Sequence, residues 1–281
     1  MRLTTIRLKD GDGMTTAAGR LDGDLISVLP YPDVGALLAS GPDWRERAAR
    51  AGDRTVPVSE ASFAPLVPRP EKVLCVGANY RDHIAEAGIE VPRYPTIFAK
   101  YARSLIGPYD DIVLPANSDA VDWEVELGVV IGEVARNIDQ EAAWDVIAGY
   151  TIVNDISMRD WQLRTSQFLQ GKTFEASTPV GPYLVTPDEV GHARAAGLTC
   201  AVDDDVMQKS VTSELVFSAA EIVSYISSFI TLVPGDLIAT GTPGGVGAAR
   251  KPPLFLTDGR TLTTRIDGLG EQVNRCVAES R

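Results

Sequence analysis

Histidine, cysteine and positive charge are all scarce in this chain of 281 residues. Two histidines, His83 and His192, exclude any centre built from three or more imidazoles of one chain. The three cysteines, Cys75, Cys200 and Cys276, are odd in number, far apart and never in a CxxC pair. A Cys-rich zinc site is therefore excluded, a disulfide framework is not expected, and the three read as small core residues. Lys plus Arg number 26 against 38 Asp plus Glu, a net charge of −12. A chain so acidic is repelled by phosphate backbones and anionic lipid. Its densest basic stretch, Arg45 to Arg50, is broken by Glu46 and reads as a solvated helix face. Nucleic acid is not an expected partner. No window approaches the ~18 apolar residues of a membrane span, and the first residues carry no apolar run of a secretory signal. A membrane is not an expected partner either, and the cytoplasm is the expected location. The motifs GxSxG and GxGxxG are missing, and the glycine run 241–247 is not followed by Gly-Lys-Ser/Thr. Nucleophile-elbow hydrolases and phosphate loops are disfavoured accordingly.

What remains is an ordinary globular composition, 44% hydrophobic and 23% charged. The length suits one large domain plus a small one. Pro65, Pro68 and Pro70 mark the expected boundary, so residues 1–70 form a small N-terminal α+β domain and residues 71–281 the second. In the first segment, strands are expected over 2–8 and 25–29. Asp33 should cap a short helix through Leu38, and Asp43 a second over 44–51. Asp10-Gly-Asp-Gly13 lacks the glutamate an EF-hand needs at its twelfth position, where Leu21 stands, and reads as a turn. In the second segment, strands are expected over 72–77, 96–99, 121–132, 150–156, 198–202, 206–209, 237–239, 261–266 and 271–277. Asp203-Asp204-Asp205 should turn a hairpin. Helices are expected over 80–88, 139–148 and 218–231, the last with capping-box spacing between Ser218 and Glu221. Many strands and few helices describe a mostly β, α+β fold.

Three groups could carry chemistry. Glu124 and Glu126, two apart in an expected strand, share one face. Side by side they repel unless a proton or cation lies between them. Such a face serves equally as a solvated edge. Asp155 closes the apolar run from Tyr150 and is either a turn cap or a third carboxylate. Three oxygens of this kind would suit magnesium, manganese or calcium rather than zinc or copper. His83 and Glu86, three apart on an expected helix, are within reach, and a carboxylate beside an imidazole makes a general base. A plain surface helix carries the same pair. Lys172 follows an apolar run and is either a surface lysine or a partner for anions. His192, in a polar stretch, is expected to be solvated.

Taken in order, several stretches resemble the fumarylacetoacetate hydrolase family, including its bacterial acylpyruvate hydrolase and 2-hydroxyhepta-2,4-diene-1,7-dioate isomerase members. They are Gly77-Ala-Asn-Tyr-Arg-Asp-His83 with Glu86, Ile97-Phe-Ala-Lys100, Ile112-Val-Leu-Pro115 and Asp122-Trp-Glu-Val-Glu-Leu-Gly128. Asn154-Asp155, Arg159-Asp-Trp-Gln162, Gly171-Lys-Thr-Phe174, Pro179-Val-Gly-Pro182 and Pro234 through Arg250-Lys-Pro-Pro253 follow. The resemblance spans about residues 70–277. It implies a mixed β-sandwich or β-roll catalytic domain. It implies one divalent cation per subunit, Mg2+ or Mn2+, on Glu124, Glu126 and Asp155. By the same resemblance His83 and Glu86 form a water-activating dyad on a lid helix, with Lys172 as a further catalytic group. Tyr80, Lys100, Arg159, Gln162 and Thr242 would bind substrate.

The implied substrate is a small 2-oxo or 1,3-diketo acid. Its oxygens chelate the cation, which stabilises the enolate leaving when a C–C bond breaks. The expected activity is C–C bond hydrolysis of the acylpyruvate or fumarylpyruvate type, in aromatic catabolism. Oxaloacetate decarboxylation and 2-hydroxydienedioate isomerisation are the alternatives on the same scaffold. A non-catalytic binding protein and a sugar hydrolase with paired acids are the readings from other classes. A homodimer is expected, from the resemblance and from the apolar load over residues 222–233.

Overall fold

The computed structural model describes residues 1–279 apart from Ala51 and Asp53. A twelve-stranded sheet runs through the whole chain. Along its main path lie Arg54–Pro57, Leu25–Val28, Gly13–Asp22, Arg2–Asp10, Thr178–Val185, Ile147–Asn154, Val125–Ile131, Leu237–Ala239, Val73–Gly77 and Thr96–Lys100. Neighbours on this path are antiparallel except Leu237–Ala239 against Val73–Gly77. A five-stranded sheet lies beside it, in the order Asp205–Val211, Gly197–Val202, Thr261–Ile266, Gly270–Ala278, Ile112–Leu114. The fold is mostly β, as expected.

The strand Val125–Ile131 is buried along its whole length. Leu127, Val129 and Ile131 pack with Leu198, Cys200 and Leu262 of the smaller sheet. Val130 points the other way, into a second core with Leu37, Leu38 and Trp44. The period of two sends alternate side chains to two cores, which is why the run reads as continuously apolar. The expected boundary at residue 70 falls inside the large sheet, because Arg2 pairs with Val185 and Leu3 with Leu184. The three cysteines are free and buried, as expected.

Several expected elements differ in extent. The strand expected over 121–132 breaks at Trp123 and Glu124 into Val121–Asp122 and Val125–Ile131. The Glu124 N–H goes to the Asn154 side chain, 2.9 Å away, instead of a strand partner. The helix expected over 139–148 is only Gln140–Ala143, and Asp139 is its cap rather than its first residue. Ile147 already pairs with Ile131, so sheet pairing overrides local helix preference there. The helix expected over 218–231 is Ala219–Ser227, with the capping box present. It ends early because the Asn137 N–H and Arg136 Nη1 take the Ser227 carbonyl.

Asp33 caps its helix through the Ala36 N–H, whereas Asp43 makes no cap and pairs with Arg47 Nε at 2.9 Å. The helix expected over 44–51 is Trp44–Ala49; Ala51 lies outside the described residues, as do the last two of the segment 71–281. Of the strands that escaped the sequence reading, two are long. Gly13–Asp22 lacks strong apolar alternation, and Thr178–Val185 is broken up by Pro179, Gly181 and Pro182. His192 is not simply solvated: its Nδ1 lies 2.9 Å from the Tyr150 hydroxyl and its ring packs on Trp144. Among the described residues, no helix is long and apolar enough to cross a membrane.

Asn79 ties the two halves of the site neighbourhood together. Its Nδ2 donates to the Phe217 and Thr240 carbonyls, and its Oδ1 accepts from the Phe217 N–H. The side chain is fully buried, directly ahead of the helix Arg81–Ala87. Asn79→Ala leaves these backbone groups without partners and is expected to lower unfolding stability by about 2–4 kcal/mol. Urea titration measures it; a loss below about 1 kcal/mol would show that these bonds do not hold the segment.

Candidate active site

The break before Val125–Ile131 aims Glu124 at the same point as Glu126. Asn154 is the pivot, accepting the Glu124 N–H with Oδ1 and anchoring itself on Thr264 Oγ1 through Nδ2. One residue later Asp155 donates its N–H to the Glu124 carbonyl at 2.9 Å. Glu124, Glu126 and Asp155 therefore converge, with candidate ligand oxygens within 4.8 Å of one another, all three buried. The sequence foresaw the convergence of the two glutamates from a shared strand face. The structure reaches it from a strand end and the turn before it.

Buried carboxylates must be paired or protonated. Lys100 Nζ lies 2.6 Å from Asp155 Oδ1. Lys172 Nζ bridges Glu124 Oε2 at 2.6 Å and Asp155 Oδ2 at 2.9 Å. Arg159 reaches Glu124 Oε1 at 2.7 Å and Asp122 Oδ2 at 2.8 Å. Among the described residues Glu126 has no ion-pair partner, and its Oε2 accepts the Gly241 N–H at 2.7 Å. Burial, with Asp155 and Glu124 alongside, pushes the Glu126 carboxyl well above its ordinary range. Burial also acts against ionised Glu124, but Lys172 and Arg159 overcome it and hold that carboxyl down to about 2. Burial disfavours the Lys172 ammonium, yet Asp155 and Glu124 more than reverse this and raise it to about 12. Paired with both carboxylates, Lys172 carries its positive charge at neutral pH.

The helix Arg81–Ala87 begins after Tyr80 and stops at Gly88, whose φ of 65° is the left-handed cap. His83 Nδ1 lies 3.4 Å from Glu86 Oε2, the contact expected for this spacing. Glu86 in turn accepts the Gly245 N–H with both oxygens, at 3.0 and 3.1 Å. A carboxylate at Nδ1 makes that nitrogen the donor and leaves Nε2 as the basic lone pair.

These groups meet at a cavity of about 160 Å³. His83, Glu124, Glu126, Arg159, Gln162, Lys172 and Thr242 line its polar side, and Val76, Ile89, Phe98 and Phe168 its apolar side. Other expected site residues stand behind the wall. Lys100 is buried against Asp155 and acts on that carboxylate. Tyr80 is fully buried in the core, with a hydroxyl that has no partner. The Thr242 hydroxyl is already committed, donating to the Val125 carbonyl and accepting from Gln208 Nε2. Arg159 Nη2, by contrast, is buried without an acceptor among the described residues. Sequence reasoning missed Asp122 as a structural hub: its carboxylate takes the N–H groups of Trp123, Gly247 and Ala248 besides Arg159. Asp122 opens the acidic motif, and Gly247 closes the glycine run, so both ends of that link lay in motifs already singled out.

The donor set fits a hard divalent cation. It is all oxygen, it converges, and one carboxylate has no positive partner.

Residues 72–277 match the family model described as fumarylacetoacetate hydrolase, C-terminal. The chain is 46% identical over 233 residues to the mitochondrial oxaloacetate tautomerase FAHD2A of Homo sapiens, covering 82% of this chain and 74% of that protein. Among solved structures, the 2-hydroxyhepta-2,4-diene-1,7-dioate isomerase of Mycobacterium marinum is 31% identical with a TM-score of 0.80, over 100% of both chains. The fumarylacetoacetate hydrolase of the psychrophile Exiguobacterium antarcticum is 29% identical with a TM-score of 0.83, over 99% of this chain and 100% of that one. With a family match over most of its length and an acidic cluster built as described, the chain belongs to the fumarylacetoacetate hydrolase family.

Proposed function

We propose that this chain holds one magnesium or manganese ion on Glu124, Glu126 and Asp155 and interconverts the enol and keto forms of a small 2-oxo acid of the oxaloacetate class. The observation that carries this reading is the placing of His83. Among the described residues lining the cavity, it is the imidazole, it stands outside the ion-paired carboxylate cluster, and its Nδ1 faces Glu86 at 3.4 Å. Lys172 and Arg159 are locked in ion pairs, Glu124 is held ionised, and Glu126 faces the cation position. The identity of 46% to a protein named an oxaloacetate tautomerase supports the same class.

When bound, the cation would polarise the 2-oxo group and the neighbouring carboxylate and so favour enol character. The chain's own residues do the rest. Arg159 Nη2, buried and without an acceptor, offers a charge-assisted hydrogen bond to a substrate carboxylate. Lys172 holds the Glu124 and Asp155 carboxylates in place through its two ion pairs. His83 Nε2 takes the proton from one end of the enol system and returns it at the other, at C3 or at the 2-oxygen. Glu86 holds Nδ1 and stabilises the imidazolium formed in between. No water is consumed.

Hydrolysis of a C–C bond in an acylpyruvate is the second reading. Phe98, Phe168 and Ile89 give the cavity an apolar end that would take an acyl substituent, and the same His83 could draw its proton from water. A homodimer belongs to the proposal too. Ile222, Val223 and Ile226 are buried within the protomer; the exposed apolar side chains at the end of that stretch and beside it are Phe229, Ile230 and Tyr94. Light scattering should give twice 30.1 kDa; a strict monomer at low micromolar concentration contradicts the dimer.

Burial raises the proton affinity of Glu126, so protons compete with the cation at this carboxylate. Affinity for Mg2+ or Mn2+ should therefore fall as pH is lowered, and the binding heat should depend on the buffer's ionisation enthalpy. Glu126→Gln should weaken binding by roughly 10²-fold or more. Calorimetry reads all three, and native affinity in Glu126→Gln would remove the cation from this site. His83→Ala should slow enol-to-keto conversion of oxaloacetate by roughly 10²–10⁴-fold while leaving cation affinity unchanged. Glu86→Ala should act in the same direction more mildly. Stopped-flow absorbance of the enol follows the reaction, with parallel assays for acylpyruvate loss and carbon dioxide release. Native tautomerisation in His83→Ala sinks the assignment; acylpyruvate turnover far above oxaloacetate turnover moves the protein to the hydrolase reading.

A further inference from the structure

We propose that the backbone of Gly245 is a positioning element for the His83–Glu86 dyad, and that Trp123 and Arg250 clamp it in place. The proposal deepens the reading of His83 as the proton-transfer base and rests on it.

The dyad stands on weak local support. Its helix, Arg81–Ala87, has seven residues, of which only Ile84 is buried. So short a helix has little stability of its own. Among the described residues, the hydrogen bonds that tie this helix's side chains to another element are the two from the Gly245 N–H to Glu86. Glu86 Oε2 accepts from Gly245 and also faces His83 Nδ1. The direction of the imidazole therefore follows from where Gly245 holds the carboxylate.

Gly245 is itself held from the opposite side. Its carbonyl accepts from Trp123 Nε1 at 3.2 Å and from Arg250 Nη2 at 3.4 Å. Arg250 Nη2 also grips the Met207 carbonyl at 2.8 Å. Gly245 has φ of 98°, and a Cβ there would sit 2.2 Å from that same Met207 oxygen. No side chain fits, so the backbone is pressed against the strand Asp205–Val211 and fixed by two donors. This assigns a role to the glycine run 241–247, which matches no phosphate-binding pattern.

Trp123 makes the clamp more than a loop anchor. It lies between Asp122 and Glu124 in the chain and is fully buried. Its peptide belongs to the turn that aims Glu124, while its indole N–H reaches Gly245 and, through it, Glu86. One rigid side chain thereby sets the register of the base against the carboxylates. Trp123, Gly245 and Arg250 are positioning residues: they act through Glu86 and touch no reacting atom.

The test uses Trp123→Phe, which keeps an aromatic ring but deletes the donor, together with Arg250→Met and Arg250→Lys. Steady-state kinetics, cation affinity by calorimetry and 15N chemical shifts of the histidine side chains are measured on each; with two histidines in the chain, the spectrum is simple. Trp123→Phe and Arg250→Met should each lower kcat by roughly 10–100-fold with KM changed by no more than about twofold, the pattern of a loosened base. Cation affinity should stay native, and the His83 15N shifts should move away from a fixed Nδ1–H form. Arg250→Lys should recover part of the loss. Native kcat and native His83 shifts in both donor-deleting variants overturn the proposal. So does a kcat loss that tracks lost cation affinity, which would place the effect of Trp123 on the carboxylates. If Trp123→Phe fails to fold, Arg250→Met, at a half-exposed residue, decides alone. His83→Ala separates the two levels: a native rate there ends the base assignment, whereas the 15N response still reports whether the clamp positions the imidazole.

Discussion

Glu126 is a buried carboxylate with no cation of its own, and the rest of the site is organised around that deficit. Taking such a group out of water costs several kcal/mol unless a charge or proton compensates. Asp122, Glu124 and Asp155 are compensated by Arg159, Lys172 and Lys100. Glu126 receives one backbone N–H from Gly241. Two lysines and an arginine thus hold Glu124 and Asp155, and a bound cation has to share those oxygens with them. They neutralise the outer carboxylates and leave one negative charge over, which a proton or a cation can meet. The same ion pairs fix the oxygens in place beforehand, so little reorganisation is needed on binding.

The site has a rigid half and a lightly held half. The carboxylates sit on and beside a strand buried on both faces, in the middle of the large sheet. The His83–Glu86 pair sits on a short, largely exposed helix held through a glycine backbone. Metal ligation needs fixed oxygens, whereas substrate entry and product release need a part that can yield. One scaffold can then serve several reactions, because what differs among them is where the proton comes from and which bond breaks.

The acidic positions were legible in the sequence because their chemistry is local: Glu124 and Glu126 two apart, His83 and Glu86 three apart, Asp155 at the end of an apolar run. Period-two and period-three rules reach that far. The residues that aim them were not legible. Asn154, Gln208 and Gly245 act across gaps of 30 to 159 residues, through side-chain to backbone bonds that leave no periodic trace. Lys100 and Tyr80 show the complementary failure. Both lie beside site residues in the chain, but Lys100 turns into the core against Asp155 and Tyr80 into an apolar cluster. Helix ends were misjudged for a similar reason: the expected helix ran through Ile147, but the partner of that residue, Ile131, lies on the neighbouring strand.

The antiparallel pairing of Leu3 with Leu184 bears on how this chain could be divided. The matched family region begins at residue 72, after the strands that extend the sheet beyond Thr178–Val185. Cutting there would strip hydrogen-bonding partners from an interior strand and lay Val180 and Leu184 open to water, creating a sticky edge of the kind that recruits other chains. The N-terminal segment is thus the selvage of the sheet: it takes no part in the chemistry, yet it is what stops the fabric from fraying into aggregates. A boundary drawn by sequence likeness and a boundary at which the chain can be severed are, in this fold, two different places.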